Sequence, residues 1–176
     1  MRAICYNYDW PPPSGYCMKL DANATLHIAN GISALPDFAE SVAVSGDRPS
    51  YGPGDVIVID ESGAQKFKRS DTPYSTLVAG VYSTKPGFVG SSHPLADLDG
   101  VDFAKEIPMA VVGIVPCKVV DENGPIKPGD LLVTSSTQGF AMKGTDPTRL
   151  VGAIVGKALE QLPSGKGAIH ILVSLQ

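Results

Sequence analysis

The chain has 176 residues, with 14 basic and 18 acidic side chains, a formal net charge of −4 and a pI near 5.2. Its tightest basic group is Lys66, Lys68 and Arg69, too few cations for a phosphate-backbone footprint, so nucleic acid is not expected as a partner. No apolar run approaches the about 20 residues of a spanning helix, and Tyr6, Asn7, Tyr8 and Asp9 interrupt the apolar core a signal peptide needs, so neither membrane insertion nor export on its own signal is expected. In chain order, the first 20 residues are irregular: Pro11-Pro12-Pro13 favours an extended segment, and Trp10 with Tyr6, Tyr8 and Tyr16 supplies aromatics that need a surface to pack on. Residues 24–29 alternate weakly and predict a strand that ends at the turn pair Asn30-Gly31. Phe38, Val42 and Val44 offer one apolar face, and Ser45-Gly46-Asp47 turns the chain. Pro53-Gly54-Asp55 launches the apolar run Val56-Ile57-Val58-Ile59: proline presets φ, glycine supplies an unusual φ and aspartate bonds the backbone. Residues 65–69 form a polar edge strand guarded by lysines, residues 77–83 a buried strand, and residues 90–106 a long loop. Residues 109–120 form a long apolar strand bent at Pro116, Asn123-Gly124 marks a hairpin, residues 145–150 a short helical piece, and residues 151–159 and 167–175 two more strands.

Part of this order repeats. Pro53-Gly54-Asp55-Val56-Ile57-Val58 returns as Pro128-Gly129-Asp130-Leu131-Leu132-Val133; Leu77-Val78-Ala79-Gly80-Val81 is matched by Leu150-Val151-Gly152-Ala153-Ile154; each copy then reaches a further apolar run, residues 109–115 and 168–173. With 19 glycines, 15 prolines and no sustained helical period, the sequence predicts an all-β fold of roughly ten or more short strands, a barrel or two packed sheets built from two related halves with little helix. A charged content of only 18% suits either a neutral β surface or surface covered in an oligomer.

Residues that carry chemistry are sparse. His27, His93 and His170 are far apart, and His170, between Ile169 and Ile171, should face away from them. Cys5 and Cys17 could close a loop as a disulfide or remain thiols, with Cys117 left as a small apolar side chain in a strand. No paired Cys and His spacing suits zinc, and a calcium loop starting at Asp97 would need its closing glutamate where Pro108 stands, so no cofactor or metal is expected.

A set of segments in fixed order then points to a family: Asp37-Phe38-Ala39-Glu40, Pro53-Gly54-Asp55-Val56, residues 78–87 (Val-Ala-Gly-Val-Tyr-Ser-Thr-Lys-Pro-Gly), residues 112–119, residues 124–132, Gly139-Phe140-Ala141-Met142-Lys143, Gly156-Lys157-Ala158-Leu159 and residues 171–176. Across residues 33–176 the chain resembles a C-terminal β domain of bacterial surface and tail-fibre-like proteins, and is more distantly similar to the autoproteolytic C-terminal domain of phage tailspikes and neck appendages. Residues 1–32 would then be an extended Pro-rich and aromatic arm with a first strand, and residues 33–176 a duplicated all-β domain. The resemblance implies a structural domain at the tip of a fibre, self-associating as a trimer, on a cell surface or a virion-like particle. It leaves two alternatives open. One is a single-turnover self-cleaving endopeptidase, for which Asn30 (before Gly31) is the candidate for attack on its own backbone, with Asp37 or Glu40 moving the proton. The other is a module that binds a surface receptor or glycan through Trp10 and the tyrosines.

Overall fold

The computed structural model describes residues 18–20, 26–28, 37–62, 66–91 and 105–174, and the chain divides into two units, residues 1–34 and 35–176. The first unit holds an antiparallel pair, β1 (Met18–Leu20) and β2 (Leu26–Ile28). The second holds β3 (Asp37–Ala43), β4 (Val56–Ile59), β5 (Phe67–Arg69), β6 (Val78–Tyr82), β7 (Phe88–Ser91), β8 (Glu106–Val120), β9 (Leu131–Thr134), β10 (Ala141–Lys143), β11 (Ile154–Ala158) and β12 (Lys166–Ser174), all connected in one sheet. The fold is therefore all-β, as the sequence predicts. The helical expectation at residues 145–150 shrinks to a single 3₁₀ turn at Pro147–Arg149, where Asp146 Oδ1 accepts the Thr148 N–H and proline supplies the fixed φ.

The sheet curls into rings. Strands β8, β12, β11, β9 and β10 pair in that order, and a parallel bridge between Ala141 and Val119 joins β10 back to β8, closing a five-stranded barrel. Strands β3, β8, β6, β4 and β5 pair in a matching sequence, and here the parallel bridge lies between Val44, just past β3, and Phe67 of β5. Strand β8 is 15 residues long and belongs to both rings, its N-terminal half pairing with β3 and β6, its C-terminal half with β12. Strand β7 adds to the outside of β3 in parallel.

The two Pro-Gly-Asp turns are built alike. Gly54 and Gly129 both take the left-handed region, at φ 86° and 92°, where an L side chain would be strained. Asp55 Oδ2 accepts the Gly52 N–H at 2.8 Å, and Asp130 Oδ2 accepts the Lys127 N–H at 2.8 Å. Registers also coincide. Ile57 faces Gly80 and Leu132 faces Gly156, each next to a one-residue irregularity in the ladder. This corrects one sequence pairing: the counterpart of β6 is β11, not residues 150–154. The shared mark is the glycine, since a Cβ on Gly80 would collide with the Ala110 carbonyl and one on Gly156 with the Leu172 carbonyl.

The rings are filled by two main apolar clusters, the larger of which also takes in Val56, Val81 and Ala110 of the first ring's strands. Val42, Val44, Ile57, Tyr82, Ile107 and Met109 pack in the first; Val115, Cys117, Val119, Leu132, Ala141, Val155 and Ile171 belong to a larger cluster in the second. On the outer face of β9 and β10, opposite the interior side chains Leu132 and Ala141, buried Tyr74, Val133 and Met142 form a third group. The Tyr74 hydroxyl there accepts the N–H groups of Thr145 and Asp146 and the Asn123 side-chain amide, tying three loops together.

Candidate functional site

Strand β3 begins with Asp37, opposite Gly113 of β8. Beyond that point β8 runs on without β3 beside it, and the turn after β6 fills part of the gap. The Ser83 N–H donates to the Pro108 carbonyl at 2.8 Å, and the Gly87 N–H to the Asp37 carbonyl at 3.0 Å, so residues 83–87 fold over the end of β3. What remains is a cleft of about 190 Å³ lined by Asp37, Ser83, Thr84, Lys85, Ile114, Val115, Pro116 and His170.

The floor of this cleft is unusual. Asp37 is 7% exposed and Ser83 is 1% exposed, yet Asp37 Oδ2 and Ser83 Oγ have no hydrogen-bond partner among the described residues. Buried polar atoms are paired in the great majority of cases, and here the Ser83 hydroxyl is the side-chain group placed to bond the Asp37 carboxyl. Burial raises the Asp37 carboxyl above the ordinary aspartate range; the nearby Ser83 hydroxyl and backbone N–H groups pull the other way without cancelling it. The site therefore holds a buried carboxyl that takes up a proton more readily than an exposed aspartate. At the rim, His170 stands opposite Pro116 on the face away from buried Ile169 and Ile171, as strand alternation predicts. Its N–H and its Nδ1 both meet the Glu160 carboxylate, each at 2.9 Å, and these bonds lower the Glu160 carboxyl.

Of the two sequence candidates for proton transfer, Asp37 lies in the cleft and Glu40 does not. Glu40 is three residues along β3, so its side chain leaves on the opposite face; it packs against Gly90 of β7, where a Cβ would stand 2.6 Å from its Oε2. The structure does not bring Asp37 and Glu40 together. Asn30, the Cys5 and Cys17 pair, Trp10, the N-terminal tyrosines and Asp97, Asp99 and Asp102 lie outside the described residues. Sequence reading passed over Ser83 and His170 as partners of Asp37. Residues 37, 83 and 170 meet only through long-range pairing, and no local spacing announces them. Among the described residues no group of three His, Cys, Asp or Glu side chains converges as a metal cage would require. Cys117 is fully buried and burial pushes its thiol up, so it is an apolar filler rather than a nucleophile.

Beside the cleft runs a continuous apolar strip. Phe88 of β7 stacks on Phe38 of β3 with ring centroids 4.6 Å apart, Phe38 faces Val112 of β8, and Ile114, two residues further on, faces Leu172 of β12. These five side chains are between 38% and 53% exposed, whereas the other exposed large apolar residues (Ile59, Val151 and Leu159) are scattered singly. Ile114 belongs to both the strip and the cleft wall.

No protein-family model matches the chain, and no curated protein matches it. Solved structures do. The C-terminal fragment of bacteriophage phi29 gene product 12 superposes with a TM-score of 0.54 at 16% identity, over 78% of this chain and all of that one. The two share a fold. Pre-mature phi29 gene product 12 superposes with a TM-score of 0.58, also at 16% identity, over 90% of this chain. The chain spans about a quarter of that phage protein's length, 24%.

Proposed function

We propose that this chain is an assembly module of a phage-related fibre, non-enzymatic in its main role, that associates with copies of itself as a trimer through the strip formed by Phe88, Phe38, Val112, Ile114 and Leu172. The strip carries the reading. Five neighbouring apolar side chains half in water form the kind of contiguous patch that marks an interface. A fold shared with the C-terminal fragment of a phage protein supports a virion-associated setting, and the coincident registers and turns support two copies of one ancestral five-strand unit. Sedimentation equilibrium on the full chain tests it. We expect a species larger than the monomer at about 100 µM, and Val112→Glu together with Leu172→Glu should return it to monomer by burying charge at the contact. A wild-type chain that sediments as a clean monomer at that concentration overturns the reading.

A second reading, self-cleavage, draws support from Asp37 alone: a buried carboxyl that takes up a proton more readily than an exposed aspartate, at the first residue of β3, suits proton transfer to an upstream peptide bond. Intact mass decides it. A chain that loses its N-terminal segment, and keeps it after Asp37→Asn, supports the reading; a mass that stays at the encoded value through prolonged incubation rejects it.

A further inference from the structure

We propose that residues 72–76 are a strained strap that clasps the two rings together, and that its release uncovers an apolar face of the second barrel while both barrels stay folded. Tyr74 marks it. Among the described residues it is the one non-glycine residue in the left-handed region, at φ 55°, a conformation that is costly for a bulky L residue. Such strain persists only where the surroundings over-determine it, and it collects at switch regions. The surroundings here belong to the other ring. The strap joins β5 to β6, and it meets residues 144–153, which join β10 to β11, the corresponding strands of the second ring. The Tyr74 N–H donates to the Thr134 carbonyl at 3.1 Å and the Ser75 N–H to Thr134 Oγ1 at 2.8 Å; Thr134 Oγ1 in turn donates to the Thr72 carbonyl at 2.7 Å. From the facing segment, Thr145 and Asp146 send their N–H groups to the Tyr74 hydroxyl at 2.9 and 3.1 Å, and the Asn123 amide joins them at 3.2 Å. Arg149 Nη2 reaches the Pro73 carbonyl at 2.9 Å, and its guanidinium lies 4.4 Å from the centre of the Tyr74 ring.

Under the strap lies apolar surface. Tyr74 packs with Val120, Val133, Met142 and Ala153, all buried, on the side of β9 and β10 that faces away from the barrel interior. These side chains are distinct from the Phe38–Leu172 strip. Ring burial and the bonds to Thr134 hold the strap down, but the hydroxyl is its catch, because three donors from two loops converge on that one oxygen. Strain works the other way. With the hydroxyl bonds gone, the backbone at position 74 gains by returning to an ordinary φ, and that rotation carries Pro73 and Ser75 away from Arg149 and Thr134. Opening breaks no ladder of the second barrel, since β8 to β12 pair with one another. A segment that opens at lower free energy than the whole molecule unfolds is the usual form of a functional moving part.

Native-state hydrogen exchange and peroxide footprinting on the full chain test the strap. In the wild type, the amides of Tyr74, Ser75, Thr145 and Asp146 should exchange through one shared opening, about tenfold or more faster than the β8–β12 ladder. Tyr74→Phe leaves three donors without their acceptor and should speed exchange at positions 74 and 75 by about tenfold or more, although neither of those N–H groups touches the hydroxyl. Arg149→Ala, at an exposed residue, should speed the same two amides by about threefold. Hydrogen peroxide should convert Met142 to its sulfoxide about tenfold faster in Tyr74→Phe, while Met109, buried in the first ring, keeps its wild-type rate. If Tyr74→Phe speeds only Thr145 and Asp146, the hydroxyl merely fastens a loop and the strap is wrong. If positions 74 and 75 exchange only together with the β8–β12 ladder, or Met109 is oxidised as readily as Met142, the opening is global unfolding and the proposal falls. Should Tyr74→Phe not fold, Arg149→Ala decides: faster exchange at positions 74 and 75 supports the strap, and wild-type rates there reject it.

Discussion

The two rings are wound the same way and closed at corresponding places, yet they are finished differently. Counting back from the bridges, Asp37 lies seven residues before Val44, and Val112 seven before Val119, so a carboxyl in the first ring stands where the second has an apolar side chain. The turns show the same contrast. Asp55 is 2% exposed and takes Lys118 at 2.5 Å, a cation from the shared strand, whereas Asp130 is 21% exposed and takes Lys143 at 2.9 Å from its neighbouring strand. Local turn chemistry is thus held constant while surroundings vary. The winding needs glycine, apolar alternation and a capped turn; the polar additions sit at the margins of the winding, where a new contact leaves the ladders untouched.

The strongest way to break this comparison is through the two interiors. Leu132 and Ile57 occupy matching register positions and both are fully buried. Leu132→Ala and Ile57→Ala should each lower unfolding stability by about 3 kcal/mol (range 2–5), measured by urea denaturation, because truncation forfeits burial and leaves a cavity. A change below about 1 kcal/mol at either site would mean that its ring collapses around the loss and that the positions are not equivalent.

The turn aspartates sharpen it at smaller amplitude. Asp55→Ala removes a buried partner of Lys118 and the acceptor of the Gly52 N–H, and should cost about 2 kcal/mol. Asp130→Ala makes the same chemical deletion nearer water and should cost about 0.5–1 kcal/mol. Equal losses in urea titrations of the two variants would show that the turn dominates and the surroundings do not matter.

The smallest effects separate two carboxyls by pH. Burial holds Asp37 above its ordinary value of 3.8, so ionisation of Asp37 opposes folding at neutral pH, and the penalty fades as pH drops below that value. Asp37→Asn should therefore stabilise the chain near pH 7 and change nothing near about pH 3. Asp60 is the reverse case: bonds from the Ser45 hydroxyl and from Ser62 lower it to about 2, so its contribution is complete above 3.8 and is lost as pH falls toward 2. Asp60→Asn should weaken the fold near pH 7 and lose most of its effect near about pH 2. Urea midpoints of both variants across this range check the opposite signs.

Much of the architecture was legible because its causes are local. Pro53-Gly54-Asp55 and Pro128-Gly129-Asp130 carry their own turn geometry, and alternation around His170 gives its orientation directly. The match of residues 77–81 to residues 150–154 failed because it followed apolar type, whereas the structure aligns the glycines that let one strand approach another closely. Ring closure could not be read, since Val44 meets Phe67 and Ala141 meets Val119 through pairings that leave no local mark. The cleft was half visible: Asp37 could be named, but its association with Glu40 came from nearness in sequence, which strand alternation undoes, and Ser83 and His170 arrive from distant strands.

One strand serving two rings has a mechanical consequence. Glu106–Val120 works as a common stave between two casks. A chain cut after Asp121 would keep the first cask whole and leave the second without β9 to β12, while a chain that starts at Val112 would keep the second and lose β3 to β7, the rest of the first. Strain applied at either cask reaches the other along continuous backbone, so the pair should come apart in a single calorimetric transition, as one object with two chambers.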